Sequence, residues 1–228
     1  MAKFKFCIFL CYLLLVTCTV ACGQDKHVYD HKTSNPEVKK INKDAGNAIY
    51  DIIITGHRDR SAELIKIENE LRHAIELDPD YEMSYINLME CIEATEHVPY
   101  PQRPTNLQRL IDVCSLWLKR HHEDTYVTIK RGMYYERNGN IDLAREDYST
   151  VLRNMNEMDL IVKPGMTDVR ISSQLAYAGY YFVAGRSDAA KKMINQFMTL
   201  YPNNPFVQAT YQMVFLHSRE EYVFQFKK

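Results

Sequence analysis

Glycine and proline are scarce in this sequence, eight of each in 228 residues. That excludes collagen-like and low-complexity chains and leaves each glycine and proline as a punctuation mark. Charge of one sign is also missing. Lys and Arg number 28 against 29 Asp and Glu, a formal net charge of −1. A nucleic-acid partner would need a basic face that such a balance does not supply. There is no charged run that would mark a polymer-binding tail. Cysteine is sparse where it would matter. Of six, Cys7, Cys11, Cys18 and Cys22 crowd into the first 22 residues, and only Cys91 and Cys114 lie beyond. This is neither a disulfide framework nor a repeated zinc spacing. No nucleophile elbow, P-loop, zinc-binding helix or glycine-rich phosphate loop is present. A catalytic carboxylate pair leaves no local signature, but nothing positive indicates an enzyme or a cofactor, and the chain reads as a binding protein.

The apolar residues are concentrated at the start. Lys3 and Lys5 precede a stretch, Phe6 to Val20, that is almost wholly apolar. It is too short to cross a bilayer of about 30 Å comfortably and fits the central region of a signal peptide. It ends at Thr19-Val20-Ala21-Cys22-Gly23. These residues resemble the lipobox of bacterial lipoproteins, in which a small residue precedes the cysteine that is acylated and becomes the new N-terminus. Ala21 and Cys22 fit; Thr19 stands where leucine is usual. The resemblance implies a leader over 1–21, acylation of Cys22 and anchoring in the cell envelope, since each buried acyl CH₂ contributes about 0.8 kcal/mol. Gly23, in place of the aspartate that retains such proteins in the inner membrane, points to the outer membrane. An ordinary cleaved leader with a chance cysteine at its edge is the alternative. Residues 22–34 are polar and aperiodic and read as a tether. His27 and His31 in that stretch read as exposed linker histidines rather than as a metal pair.

From Asn35 onward the spacing of apolar residues is close to 3.6 nearly everywhere, and no strand alternation appears. The punctuation predicts nine helices: 36–55, 61–77, 82–94, 106–121, 124–139, 141–154, 167–184, 187–200 and 205–222. Asn35-Pro36 and Thr105 open helices, Gly56, Gly139 and Gly185 close them, and Asp78-Pro79 separates two. Two loops are longer: 96–104, with Pro99, Pro101 and Pro104, and 155–166, with Pro164-Gly165. Short turns imply antiparallel neighbours.

Residues 125–152 carry Gly132, Tyr135, Gly139, Ala144 and Tyr148. The same offsets recur 46 residues later as Ala178, Tyr181, Gly185, Ala190 and Ile194, followed by Pro202. Helices packed 8–10 Å apart need a small residue where backbones approach and a bulky one beside it. These segments resemble the tetratricopeptide repeat, whose usual period is about 34 residues; the loop at 155–166 absorbs the excess. Residues 74–81 resemble the end of a further repeat. Residues 189–209 are similar to the variant in outer-membrane tetratricopeptide lipoproteins. The resemblance implies an all-α, right-handed superhelix over 35–228, of about four antiparallel pairs plus a C-terminal capping helix.

In that family fixed first-helix offsets line a concave binding face. Here they are Tyr126, Ile129, Met133, Glu136 and Arg137 in one repeat. In the next they are Ser172, Leu175, Gly179, Phe182 and Val183. The lysines and asparagines that clamp a terminal carboxylate in one branch are absent, and the row is mostly apolar and aromatic. Either it binds a protein or peptide partner, with Tyr126, Met133 and Phe182 lining one groove, or the molecule's own helices cover it. An accessory lipoprotein of glycan or nutrient uptake, using tyrosines to stack on sugars, is the alternative function. The turn His121-His122-Glu123-Asp124 is rich in metal-ligand types, but successive helical residues diverge by about 100°, and Asp124 reads as a helix cap. Cys91 and Cys114 read as buried thiols, with a disulfide sterically possible.

Overall fold

A computed structural model of the chain describes residues 33–55, 60–96, 106–155 and 162–224. Residues 1–21 expected to form a leader, Cys22, His27, His31, Gly56, the three loop prolines and Thr105 lie outside those residues. Among the described residues the structure is all-helical, with ten helices and no strand. They are α1 (Pro36–Thr55), α2 (Ser61–Leu77), α3 (Glu82–Glu96), α4 (Asn106–Leu118), α5 (Thr125–Arg137), α6 (Ile141–Asn154), α7 (Asp168–Val183), α8 (Ser187–Leu200), α9 (Pro205–Leu216) and α10 (Arg219–Val223). The chain divides into two compact units at Asn140–Ile141. That boundary falls inside the 125–152 segment, so α5 and α6 belong to different units.

In the first unit each helix packs on the next, α1 on α2 through α4 on α5, and α1 also packs on α3. The stripes read from the sequence face inward: Leu64, Ile67, Leu71, Ala74 and Ile75 of α2, and Leu110, Ile111, Cys114, Trp117 and Leu118 of α4, are buried. The middle helix, α3, is buried all round. Ser84 through Met89 are six consecutive buried residues, and at 100° per residue they cover its whole circumference. Buried polar groups then need partners. Asn42 Nδ2 donates to Ser84 Oγ at 2.8 Å, and Asn87 Nδ2 donates to Asn42 Oδ1 at 2.9 Å, which fixes the register of α1 on α3. Asn106 Nδ2 donates to Thr95 Oγ1 at 2.6 Å, and Arg109 of α4 donates to Glu68 of α2.

The second unit is centred on α7. Ile171 to Leu175 are buried in succession, and α7 contacts α6, α8, α9 and α10. Ala178, Phe182, Ala190, Ile194 and Phe197 form its core. The Tyr201 hydroxyl accepts from Met166 N at 2.7 Å and donates to Lys163 O, pinning the preceding loop.

Two kinds of turn recur along the chain. After α5, Gly139 N donates to Glu136 O and Asn140 N to Tyr135 O; after α7, Gly185 N donates to Phe182 O and Arg186 N to Tyr181 O. This pair of bonds is a Schellman cap, which requires a left-handed residue. Gly139 and Gly185 supply it at φ 85° and 80°. The other turn recurs at 78–81, 121–124 and 201–204. In each, the first residue's N–H bonds back to the carbonyl four before it, and the fourth residue's N–H bonds to the first's carbonyl.

Two boundaries differ from the sequence expectation by three residues or more. The helix expected over 106–121 ends at Leu118, where Arg120 N and His121 N both turn back to Trp117 O and lead into the 121–124 turn. The helix expected over 205–222 breaks at His217 and Ser218, both extended. Ser218 Oγ accepts from Glu221 N and Glu221 Oε2 accepts from Ser218 N, a capping box that starts α10.

Candidate functional site

The first-helix offsets fall on α5 in one unit and on α7 in the other. On α7, Ser172, Leu175, Phe182 and Val183 are buried and Gly179 is half-buried. The last two of the apolar row meet α10. The Phe182 ring stands edge-on to Tyr222, centroids 6.0 Å apart, and Val223 is fully buried. Such an aromatic pair contributes about 0.5–1.5 kcal/mol beyond its buried area. Arg219 reaches over α7: its Nε donates to Val183 O at 2.6 Å and its guanidinium lies 5.5 Å from the Tyr148 ring centre. At these positions the molecule's own helix covers the row.

On α5, Ile129 and Met133 are buried, while Tyr126, Glu136 and Arg137 are half-buried. Tyr126, Glu136 and Arg137 therefore carry the accessible part of this row. Beneath it lies a charged cluster that sequence reasoning did not identify. Glu93 of α3 accepts from the Tyr134 hydroxyl and pairs with Lys130 Nζ at 3.4 Å. Burial alone would push the Glu93 carboxyl up; Lys130, the Tyr134 hydroxyl and Arg137 outweigh it and hold the carboxyl below its ordinary range. The Arg137 guanidinium also sits 5.7 Å from the Tyr134 ring centre. One turn earlier, Glu90 is half-buried, and burial with the charge on Glu93 pushes it up to about 7. The available signal was two carboxylates three apart, Glu90 and Glu93, in the otherwise apolar stretch 88–94.

The His121–Asp124 turn is a joint between helix ends. Asp124 caps α5, accepting from Val127 N at 2.9 Å through Oδ1 and from Trp117 Nε1 at 2.7 Å through Oδ2. His121 stacks on Trp117 with centroids 3.7 Å apart, and its Nε2 lies 3.1 Å from Asp80. Arg120 Nε donates to the same Asp80 oxygen at 2.7 Å and, with burial opposing, holds that carboxyl down at about 2. His122 faces exposed Glu123. His121 and Asp124 thus both turn to Trp117, while His122 and Glu123 are exposed.

Cys91 and Cys114 are both buried and are not bonded to each other. Cys91 Sγ donates to Leu64 O and Cys114 Sγ to Met89 Sδ, each at 3.3 Å. Burial pushes the Cys114 thiol well above its ordinary value, so it behaves as a small apolar side chain. Comparison with models of protein families, with curated proteins and with solved structures finds no match for this chain.

Proposed function

We propose that this chain is a lipid-anchored, tetratricopeptide-like scaffold that binds a protein or peptide at the bacterial cell envelope, on its first-helix rows. The observation that carries the reading is the recurrence of one local structure at two places 46 residues apart. The Schellman turns at 138–140 and 184–186 use the same three donors and acceptors by offset. Each closes a helix bearing the same small-residue and aromatic pattern. Equivalent turns at equivalent offsets are the mark of a repeated helix pair, and in the first unit the α5 row is the accessible face. Tyr126, Glu136 and Arg137 offer that face an aromatic and two opposite charges. Aromatic residues and arginine are the types enriched at interface cores.

Anchoring rests on the Ala21-Cys22 junction and the short apolar leader before it; acylation there places the scaffold on the membrane, and Gly23 favours the outer one. The glycan-uptake reading draws less support. Tyr211 and Phe215 stack on each other at 4.3 Å, and Lys191 sits 5.6 Å from the Phe215 ring centre, so that aromatic surface is already occupied. Photocrosslinking in the native membrane tests the proposal. A benzoylphenylalanine at position 126 should trap one recurrent protein, and one at exposed Lys192 should not. Equal, scattered products from both positions would refute it.

A further inference from the structure

We propose that Glu90 receives a lysine or arginine side chain of the segment that docks on the first-helix face of the first unit. The inference rests on the scaffold reading and deepens it, by naming the chemistry the partner must bring. α3 carries the argument. From Ser84 to Thr95 it opens to solvent only at Glu90, which is half-buried while every other residue of that stretch is buried. Met83, two turns earlier and so on the same side of the helix, is half-buried too.

The turns place these two residues in register with the α5 row. Those at 78–81 and 121–124 make the same two bonds and lie 43 residues apart. That offset makes Met83 the equivalent of Tyr126 and Glu90 the equivalent of Met133.

Glu90 lacks a partner. The fully buried carboxylates of this unit all have one. Glu68 accepts from Arg72 and Arg109, Glu93 from Lys130 and the Tyr134 hydroxyl, and Asp124 from Val127 N and Trp117 Nε1. Among the described residues Glu90 makes neither a hydrogen bond nor an ion pair. The charged groups that act on it are Glu93 of its own helix and Lys130 of α5, and Lys130 makes its ion pair with Glu93. Water does not make up the difference. A freely hydrated carboxylate titrates in its ordinary range, whereas burial, joined by the charge on Glu93, lifts Glu90 to about 7 against the pull of Lys130. Its ionised form is short of solvation, and a cation brought to it supplies what is missing. Glu82 is raised likewise, but it stands against Asp124 at the start of the helix and at no row position. A basic side chain brings the cation on an apolar stem, which suits a face whose other open residues include Met83 and Tyr126.

The test uses the full-length chain to select from a displayed library of random dodecapeptides at pH 8, in parallel with Glu90→Gln, which keeps the side chain's shape and removes its charge. Peptides held by the wild type should be enriched in lysine or arginine at one position, and those held by the variant should not. A selected peptide without histidine should bind the wild type about tenfold more tightly at pH 8 than at pH 6, because Glu90 ionises near 7 and only its ionised form attracts the cation. In the variant its affinity should be the same at both. No basic enrichment overturns the proposal, as does enrichment or pH dependence that survives in Glu90→Gln. If the variant misfolds, the wild type decides, and an affinity flat from pH 6 to 8 overturns it. A partner trapped from position 126 without any basic preference leaves the scaffold reading standing and this one fallen. A basic preference that needs Glu90, with nothing trapped from position 126, does the reverse.

Discussion

Replacing Asp124 with alanine removes two hydrogen bonds at one buried point. The cap on Val127 N contributes about 1 kcal/mol, within a range of roughly 0.5–2. Leaving the Trp117 indole N–H buried without an acceptor costs about 1–3 kcal/mol more. Against this, burial raises the Asp124 carboxyl above its ordinary range, so its removal relieves some desolvation. The balance is a loss of about 2–3 kcal/mol, or roughly 4–12 °C in Tm for a chain of this size. Asp124→Asn is the informative companion. One amide oxygen can serve Val127 N or Trp117 Nε1 but not both, so about half the loss should appear. The assay is urea unfolding followed by circular dichroism and by fluorescence, for which Trp117 is the sole tryptophan. In a Trp117→Phe background, Asp124→Ala should cost only the cap. A loss under about 0.5 kcal/mol for Asp124→Ala, or equal losses in both backgrounds, would refute the reasoning.

Gly185→Ala meets no atom within 4 Å but must hold φ 80°, so it should cost about 1–2 kcal/mol through conformation alone; a melt indistinguishable from wild type would count against the Schellman turn. Stability should fall on the alkaline side. Burial, with Asp124 adding, pushes Glu82 up to about 8, and Glu90 sits at about 7, so their contribution is present below about 4.5 and lost as pH rises through 7 to 8. Glu82→Gln with Glu90→Gln should flatten that limb in urea midpoints taken from pH 5 to 9. The ion pair at Asp80 acts oppositely, its contribution being present above about 4 and lost as pH falls towards 2. Cys22→Ser should leave the chain unprocessed or in the aqueous phase on detergent partition; normal maturation and detergent partition would refute acylation there.

Much of the helical framework was legible because it depends on short-range chemistry. Leu64, Leu71, Leu110 and Trp117 declare their burial by spacing alone, and Gly139, Gly185 and Asp124 declare their turns. The break before α10 was written as Ser218-x-x-Glu221, but the apolar run through Leu216 masked it. The candidate faces were harder. An offset names which side of a helix a residue occupies, not what lies over it. Phe182 is covered by Tyr222, which is 40 positions away. The Glu93–Lys130–Tyr134 cluster joins α3 to α5 across 37 to 41 residues, a distance at which local pattern carries no information.

The central claim is that the first-helix row is the binding face. The most direct measurement is the affinity, by isothermal titration, of the protein trapped from position 126 for a set of surface variants. Tyr126→Ala and Glu136→Lys should each weaken binding tenfold or more, about 1.4 kcal/mol, whereas Lys192→Glu and Leu143→Ser, exposed elsewhere, should leave it unchanged. Losses at Lys192 or Leu143 with none at Tyr126 or Glu136 would contradict the account.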